Sequence, residues 1–256
     1  QEFTESSNDL GRALKDRMHL IVDVDYFEPE AINFYDMLTA DRNPRVQFSE
    51  SLEDRIDKIK ELNKKLNERP VPFEKYVISL YLSKGLNQLE DGTKKTELKS
   101  GWPNKLEGHE SGSDAALIKR VSPRATKSII TLSQALDEIT EEQGAKELDY
   151  FESMMTAFKF CSAYSGVLNE AKVRQEYDEN PYKATDAVID TTREQFKEKK
   201  EAIAAGLAMA RKGEKKKKIT DRFTGRWSFM KNLLENLANR TLLKKASGKT
   251  NDKLTW

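Results

Sequence analysis

The residues best suited to chemistry fall in two groups far apart in the chain. Asp23, Asp25, Glu28 and Glu30 crowd four carboxylates into a short stretch after the apolar run Leu20-Ile21-Val22. Carboxylates at such spacing can share a cation or divide acid and base roles. The second group is basic. Arg211, Lys212, Lys215, Lys216, Lys217 and Lys218 are followed by Arg222, Arg226 and Lys231, with Phe223, Trp227 and Phe229 among them. Lysine and arginine beside aromatic rings suit anionic lipid headgroups, where each basic residue near the surface contributes about 1 kcal/mol. They equally suit the phosphates of a nucleic-acid backbone. The bland alternative is a lysine loop turned to water, with Trp227 packed in a core.

The run Leu20-Ile21-Val22-Asp23-Val24-Asp25 resembles the first motif of haloacid-dehalogenase-type phosphatases. In that family an aspartate following an apolar strand is the nucleophile, and the aspartate two residues on is the acid/base. The resemblance is confined to this run. It implies a parallel sheet behind Asp23 and a phosphatase-like activity at Asp23 and Asp25. Tyr26-Phe27 stand where the family usually has a small hydroxyl or branched residue, and the rest of the chain reads as helix. The competing reading is a helix end whose carboxylates face water. The four carboxylates also lack the glycine-bearing loop of an EF-hand.

Other chemistry is sparse. The two histidines, His19 and His109, are far apart and have no cysteine neighbours, and HExxH and CxxC are missing. So are GxxxxGK[ST], GxGxxG and GxSxG. The sequence therefore predicts no catalytic residue, no cofactor, no metal and no small-molecule substrate.

Composition explains why binding is the better expectation. Of 256 residues, 34% are charged and 37% hydrophobic, a balance that suits long helices with solvated faces. The net charge of +1 conceals a partition. Residues 211–256 hold 14 Lys and Arg against 4 Asp and Glu, a net of +10, so residues 1–210 carry −9. Cys161 is the lone cysteine, which excludes an internal disulfide, and no apolar run approaches a membrane span. The chain begins Gln1-Glu2-Phe3, as an expression fragment would, or a processed chain that has lost its signal peptide. The expected setting is thus a secreted chain working in a reducing compartment, or the cytoplasm.

The elements that must position these groups are helices. Residues 145–177 form a proline-free stretch with Leu148, Phe151, Met155, Phe158 and Leu168 at helical spacing, and predict one long buried helix. Ser122-Pro123 predicts a helix to Glu142 lined by Ala125, Ile129, Leu132, Leu136 and Ile139. Asn180-Pro181 opens another to Arg211, lined by Val188, Ile189, Phe196, Ile203 and Leu207. Thr220 or Asp221 should cap a last helix to Lys245. Upstream, helices are expected from Asn8 to Val22, from Pro29 with Ile32, Phe34, Tyr35, Met37 and Leu38 on an apolar side, from Ser49 or Ser51 to Glu68, from Phe73 to Leu89 with Tyr76, Val77, Leu80 and Tyr81 inward, and from Asp114 to Val121. His19–Phe27 is the one candidate strand.

The expected fold is all-α: helical bundles with one long buried central helix, possible elongation included. The expected organisation is an N-terminal helical region over 1–90, a linker or long loop over 91–113 carrying Trp102, a C-terminal bundle over 114–245 and a tail over 246–256. The expected function is a non-enzymatic interaction protein of secreted-effector type, whose helical surface binds a protein partner and whose basic end contacts anionic membrane. Nucleic-acid binding by the basic end is the alternative, the phosphatase-like enzyme a distant one, and homo-oligomerisation stays open.

Overall fold

Prolines and short polar side chains set most helix starts. The computed structural model describes residues 12–15, 17–24, 30–39, 56–95 and 114–246. The expectations placed on Asn8, Asp25–Pro29, Asp41–Ser51, Trp102, His109 and residues 247–256 lie outside these. The chain divides into two units, residues 22–70 and a larger one of residues 1–21 with 71–256.

In the smaller unit, α2 covers Ala31–Thr39 and α3 covers Ile56–Glu68. Neither buries a residue. The apolar side predicted for α2 exists in the sequence, but in the structure it faces solvent. In α3, Ile56 and Ile59 are exposed, and Leu62 and Leu66 half-buried.

In the larger unit a single turn, α1, spans Arg12–Lys15. The helix predicted to reach Val22 stops there, ahead of the β-branched residues Ile21 and Val22. Residues 20–23 are neither helix nor strand. α4, Phe73–Leu80, starts after Pro72 and widens into a π turn over Tyr81–Gly85, closed by Leu86 N–H donating to Tyr81 O at 2.9 Å. The predicted helix to Leu89 therefore ends early. Gln88 and Lys94 then pair across a tight reversal.

After the short α5, Asp114–Leu117, the chain is extended at Ile118, which pairs with Leu168. Asn87 holds this segment by a two-way bond: its Nδ2 donates to Val121 O at 3.2 Å, and its Oδ1 accepts from Val121 N at 3.0 Å. Lys95 Nζ donates to Ile118 O at 2.7 Å.

α6, Pro123–Glu142, begins as predicted, with Ser122 Oγ accepting from Ala125 N at 3.0 Å and proline in the first turn. Its buried face is rotated from the predicted stripe. Ala125 and Ile129 are buried, but Ile139 is exposed, and Ser128, Ser133, Gln134, Asp137 and Glu138 are buried instead. Lys75 of α4 draws that face inward: its Nζ lies 2.5 Å from Asp137 Oδ2 and 3.0 Å from Ser133 Oγ.

The single helix expected over 145–177 is two. α7 runs Tyr150–Ser162, capped by Asp149, and α8 runs Glu170–Glu176. Between them Gly166 takes a positive φ of 81°, and the backbone is used elsewhere. Lys119 N donates to Val167 O at 2.7 Å, and Asn169 N to Leu117 O at 2.8 Å. Helical geometry would forfeit that pairing. The core reading of the first half stands: Met154, Met155, Ala157 and Phe158 are buried.

The long helix is α9, Pro181–Lys212, with Asn180 Oδ1 accepting from Tyr182 N at 3.0 Å and Lys183 N at 3.1 Å. Val188, Ile189, Ile203 and Leu207 are buried and Phe196 half-buried. Gly213 ends it in the left-handed conformation. A short turn α10, Lys217–Thr220, and a 3-10 turn, Gly225–Trp227, precede α11, Ser228–Ala246. The last helix thus begins well after the predicted caps Thr220 and Asp221.

α11 lies against α9 with residue numbers rising together. Trp227 meets Gln195, a Cβ at Gly206 would lie 2.6 Å from Leu234 Cδ1, and one at Gly213 would lie 2.8 Å from Leu242 Cδ2. The two helices therefore run parallel, and residues 214–227 carry the chain back along α9. Gly225 is fixed by this return: its φ is +56° and a Cβ there would sit 2.0 Å from Glu90 O.

The core closes around α7 and α9. Lone Cys161 sits in it, and burial pushes its thiol up to about 11. Native-state labelling with a thiol reagent at pH 8 should be at least a hundredfold slower than in urea, because the thiolate is the nucleophile. The linkage has a definite sign. A raised pKa favours the protonated fold, so this contribution is present below the ordinary value of 9.0 and is lost as pH climbs towards 11. Labelling at the unfolded rate would contradict the burial.

Candidate polyanion interface

The basic run is built on the end of α9. Its backbone is tied down while its side chains point out. Glu214 N donates to Met209 O at 3.2 Å, Lys216 N to Met209 Sδ at 3.1 Å, and Asp221 N to Lys217 O at 2.8 Å. Thr220 and Phe223 are buried and anchor the segment from beneath. Arg211, Lys212, Lys215, Lys216, Lys217, Lys218, Arg222 and Lys231 are all exposed.

Two acids lie inside this surface, and both are matched. Glu214 Oε2 is 2.7 Å from Lys216 Nζ, and Asp221 Oδ1 is 3.1 Å from Lys231 Nζ. Such exposed pairs add little stability, yet each cancels one positive charge. Lys215, Lys217 and Lys218 make no ion pair among the described residues. The surface therefore keeps a concentrated positive field within a Debye length of about 8 Å at physiological ionic strength.

Two residues of the predicted set are elsewhere. Arg226 is buried. Trp227 is 2% exposed and sits among rings. Its centroid is 4.8 Å from Tyr81, 4.9 Å from Phe196 and 5.8 Å from Phe229, and its Nε1 donates to Gln195 Oε1 at 3.1 Å. The indole is a core residue with its polar tip satisfied, so neither lipid insertion nor base stacking is open to it.

The acidic group is less assembled. Asp23 and Glu30 are described and Asp25 and Glu28 are not. The all-α fold lacks, among the described residues, the parallel sheet that the phosphatase resemblance implies. Among those residues no group of three or more His, Cys, Asp or Glu could hold a metal ion, and no helix is long and apolar enough to cross a membrane. His19, at the edge of the larger unit, shares a hydrogen bond of 2.9 Å through Nδ1 with Ser128 Oγ.

Sequence reasoning missed the buried polar group of Lys75, Ser133 and Asp137. The lysine Nζ also lies 5.5 Å from the Tyr150 ring centre. One signal was present: Lys75, with Glu74, stands between Phe73 and the apolar run Tyr76-Val77-Ile78. No family model matches the chain, and no curated protein or solved structure matches it.

Proposed function

We propose that this chain is a non-enzymatic helical interaction protein. It binds a protein partner and lays the basic surface of residues 211–222 and Lys231 on an anionic membrane. The observation that carries the reading is the lysine run itself, pinned by its backbone on the end of α9 with its side chains in solvent. A surface of that kind attracts by charge and needs no fitted pocket. With Trp227 in the core, contact is peripheral. Nucleic acid would gain the phosphate attraction but no stacking ring from this surface, so lipid is the preferred polyanion.

The test is flotation with vesicles containing anionic lipid and with neutral vesicles, beside a gel shift with duplex DNA. The parent chain should bind the anionic vesicles, and the binding should fall steeply as salt rises. Replacing Lys215, Lys216, Lys217 and Lys218 with Glu should weaken it at least tenfold while leaving the melting temperature unchanged. Equal binding by the variant would return the lysines to the role of solvated charge. Tighter salt-dependent binding to DNA than to vesicles would favour nucleic acid.

A further inference from the structure

We propose that α2 is the element that docks the protein partner, and that the partner encloses it in an apolar cleft rimmed by lysine and arginine. This rests on reading the chain as an interaction protein, and adds the docking element and the chemistry of what covers it.

α2 is apolar where it meets water. Ile32, Phe34, Tyr35, Met37 and Leu38 are each between 53% and 69% exposed. Scattered exposed apolar residues are ordinary, but five on one helix of nine residues form a patch of the kind that marks an interaction site. At 100° per residue these side chains sweep roughly 220° of the helix circumference, leaving Asn33 and Asp36 on the remaining side. A flat surface covers about half a helix at most. The wide arc therefore fits a cleft that closes on three sides, in the helix-in-groove manner. The helix is about 13 Å long, and the cleft needs that length.

Charge selects the rim. Across residues 23–41 the sequence holds Asp23, Asp25, Glu28, Glu30, Asp36 and Asp41 and no Lys or Arg. An anionic membrane repels such a segment, so the apolar helix and the basic lysine run have opposite preferences. A partner with lysine and arginine around an apolar floor is attracted by the flanks and desolvates the centre. A second copy of this chain would have to offer that cleft from its own surface. Among the described residues of its larger unit, an apolar hollow lined by Phe73, Leu207, Ala210, Arg211, Leu237 and Thr241 is much smaller than a helix.

The experiment uses the full chain and two designed receptors with the same apolar helix-binding cleft, one rimmed by lysine and the other by glutamate. Fluorescence anisotropy of the labelled chain is read at low and physiological salt. The lysine-rimmed receptor should bind at least tenfold more tightly, and its advantage should shrink as salt rises. Phe34→Asp with Leu38→Asp should abolish that binding, with circular dichroism unchanged. The variant with Glu at positions 215–218 should bind the receptor as the parent does, which separates this proposal from the membrane reading. Equal affinity for both rims, no binding to either, or indifference to the Phe34 and Leu38 changes would overturn it. So would a dimer, seen by light scattering, that the same two changes dissolve.

Discussion

Lys75→Ala should destabilise the fold by about 3–5 kcal/mol, the cost of leaving one member of a buried ion pair uncompensated. Lys75 and Asp137 have side chains 0% and 1% exposed, and the ammonium is held at 2.5 Å from one carboxylate oxygen. Removing the cation strands Asp137 against Ser133 in the core. Asp137→Ala should cost a similar amount by stranding Lys75. The double change Lys75→Met with Asp137→Leu should recover most of the loss, because an apolar pair of similar volume needs no desolvated charge. Urea midpoints of the parent, Lys75→Met, Asp137→Leu and the chain with both changes form the double-mutant cycle. Additive single costs would mean the two groups do not stabilise one another. A second readout is local. The Glu74 carboxyl is held above 4.5 by desolvation first and Asp149 next, with Lys200 and Lys75 pulling it down. Lys75→Ala should therefore push it higher still. A raised carboxyl favours the fold while protonated and loses that contribution as pH climbs through its folded value, so the variant should hold it to higher pH than the parent.

Phe158→Ala should also cost about 3–5 kcal/mol, the range for removing a fully buried phenylalanine. The ring is 0% exposed, in the turn below Met154 and Met155 and beside Ala157. The cavity would open one turn from Cys161, so thiol labelling should speed up in the variant. A change below about 1 kcal/mol with labelling unaltered would mean that the helix repacks around the gap.

How much of this was legible depends on which force decides each element. Ser122-Pro123 and Asn180-Pro181 each carry their own start signal, a side-chain acceptor followed by a ring that fixes φ, and both helices begin where the sequence says. The break after Ser162 has no such local mark. Val167 and Leu168 fit a helical stripe by spacing, but their backbone pairs with residues near 118, more than forty positions away. Spacing also misjudged α6. Ile139 belongs to its apolar stripe, yet Lys75 on another helix turns Asp137 inward and Ile139 outward. Of the candidate interface, the lysine run was plain from composition. The removal of Trp227 and Arg226 was not, because both stand between Arg222 and Lys231 in the basic stretch and only the return past α9 puts them inside.

The parallel course of α9 and α11 has an electrostatic consequence. Each helix ends in unsatisfied carbonyls equivalent to about half a negative charge. Antiparallel neighbours would cancel these against N-terminal ends, whereas here both C-terminal ends point the same way. Arg211 and Lys212 occupy the last turn of α9. Cations so placed satisfy the helix end as well as facing solvent, each worth roughly 0.3–1 kcal/mol. Reversing Arg211 or Lys212 would therefore disturb the fold together with the surface. Lys215 to Lys218 lie beyond the end of α9, so the surface can be changed there with the helix end left intact.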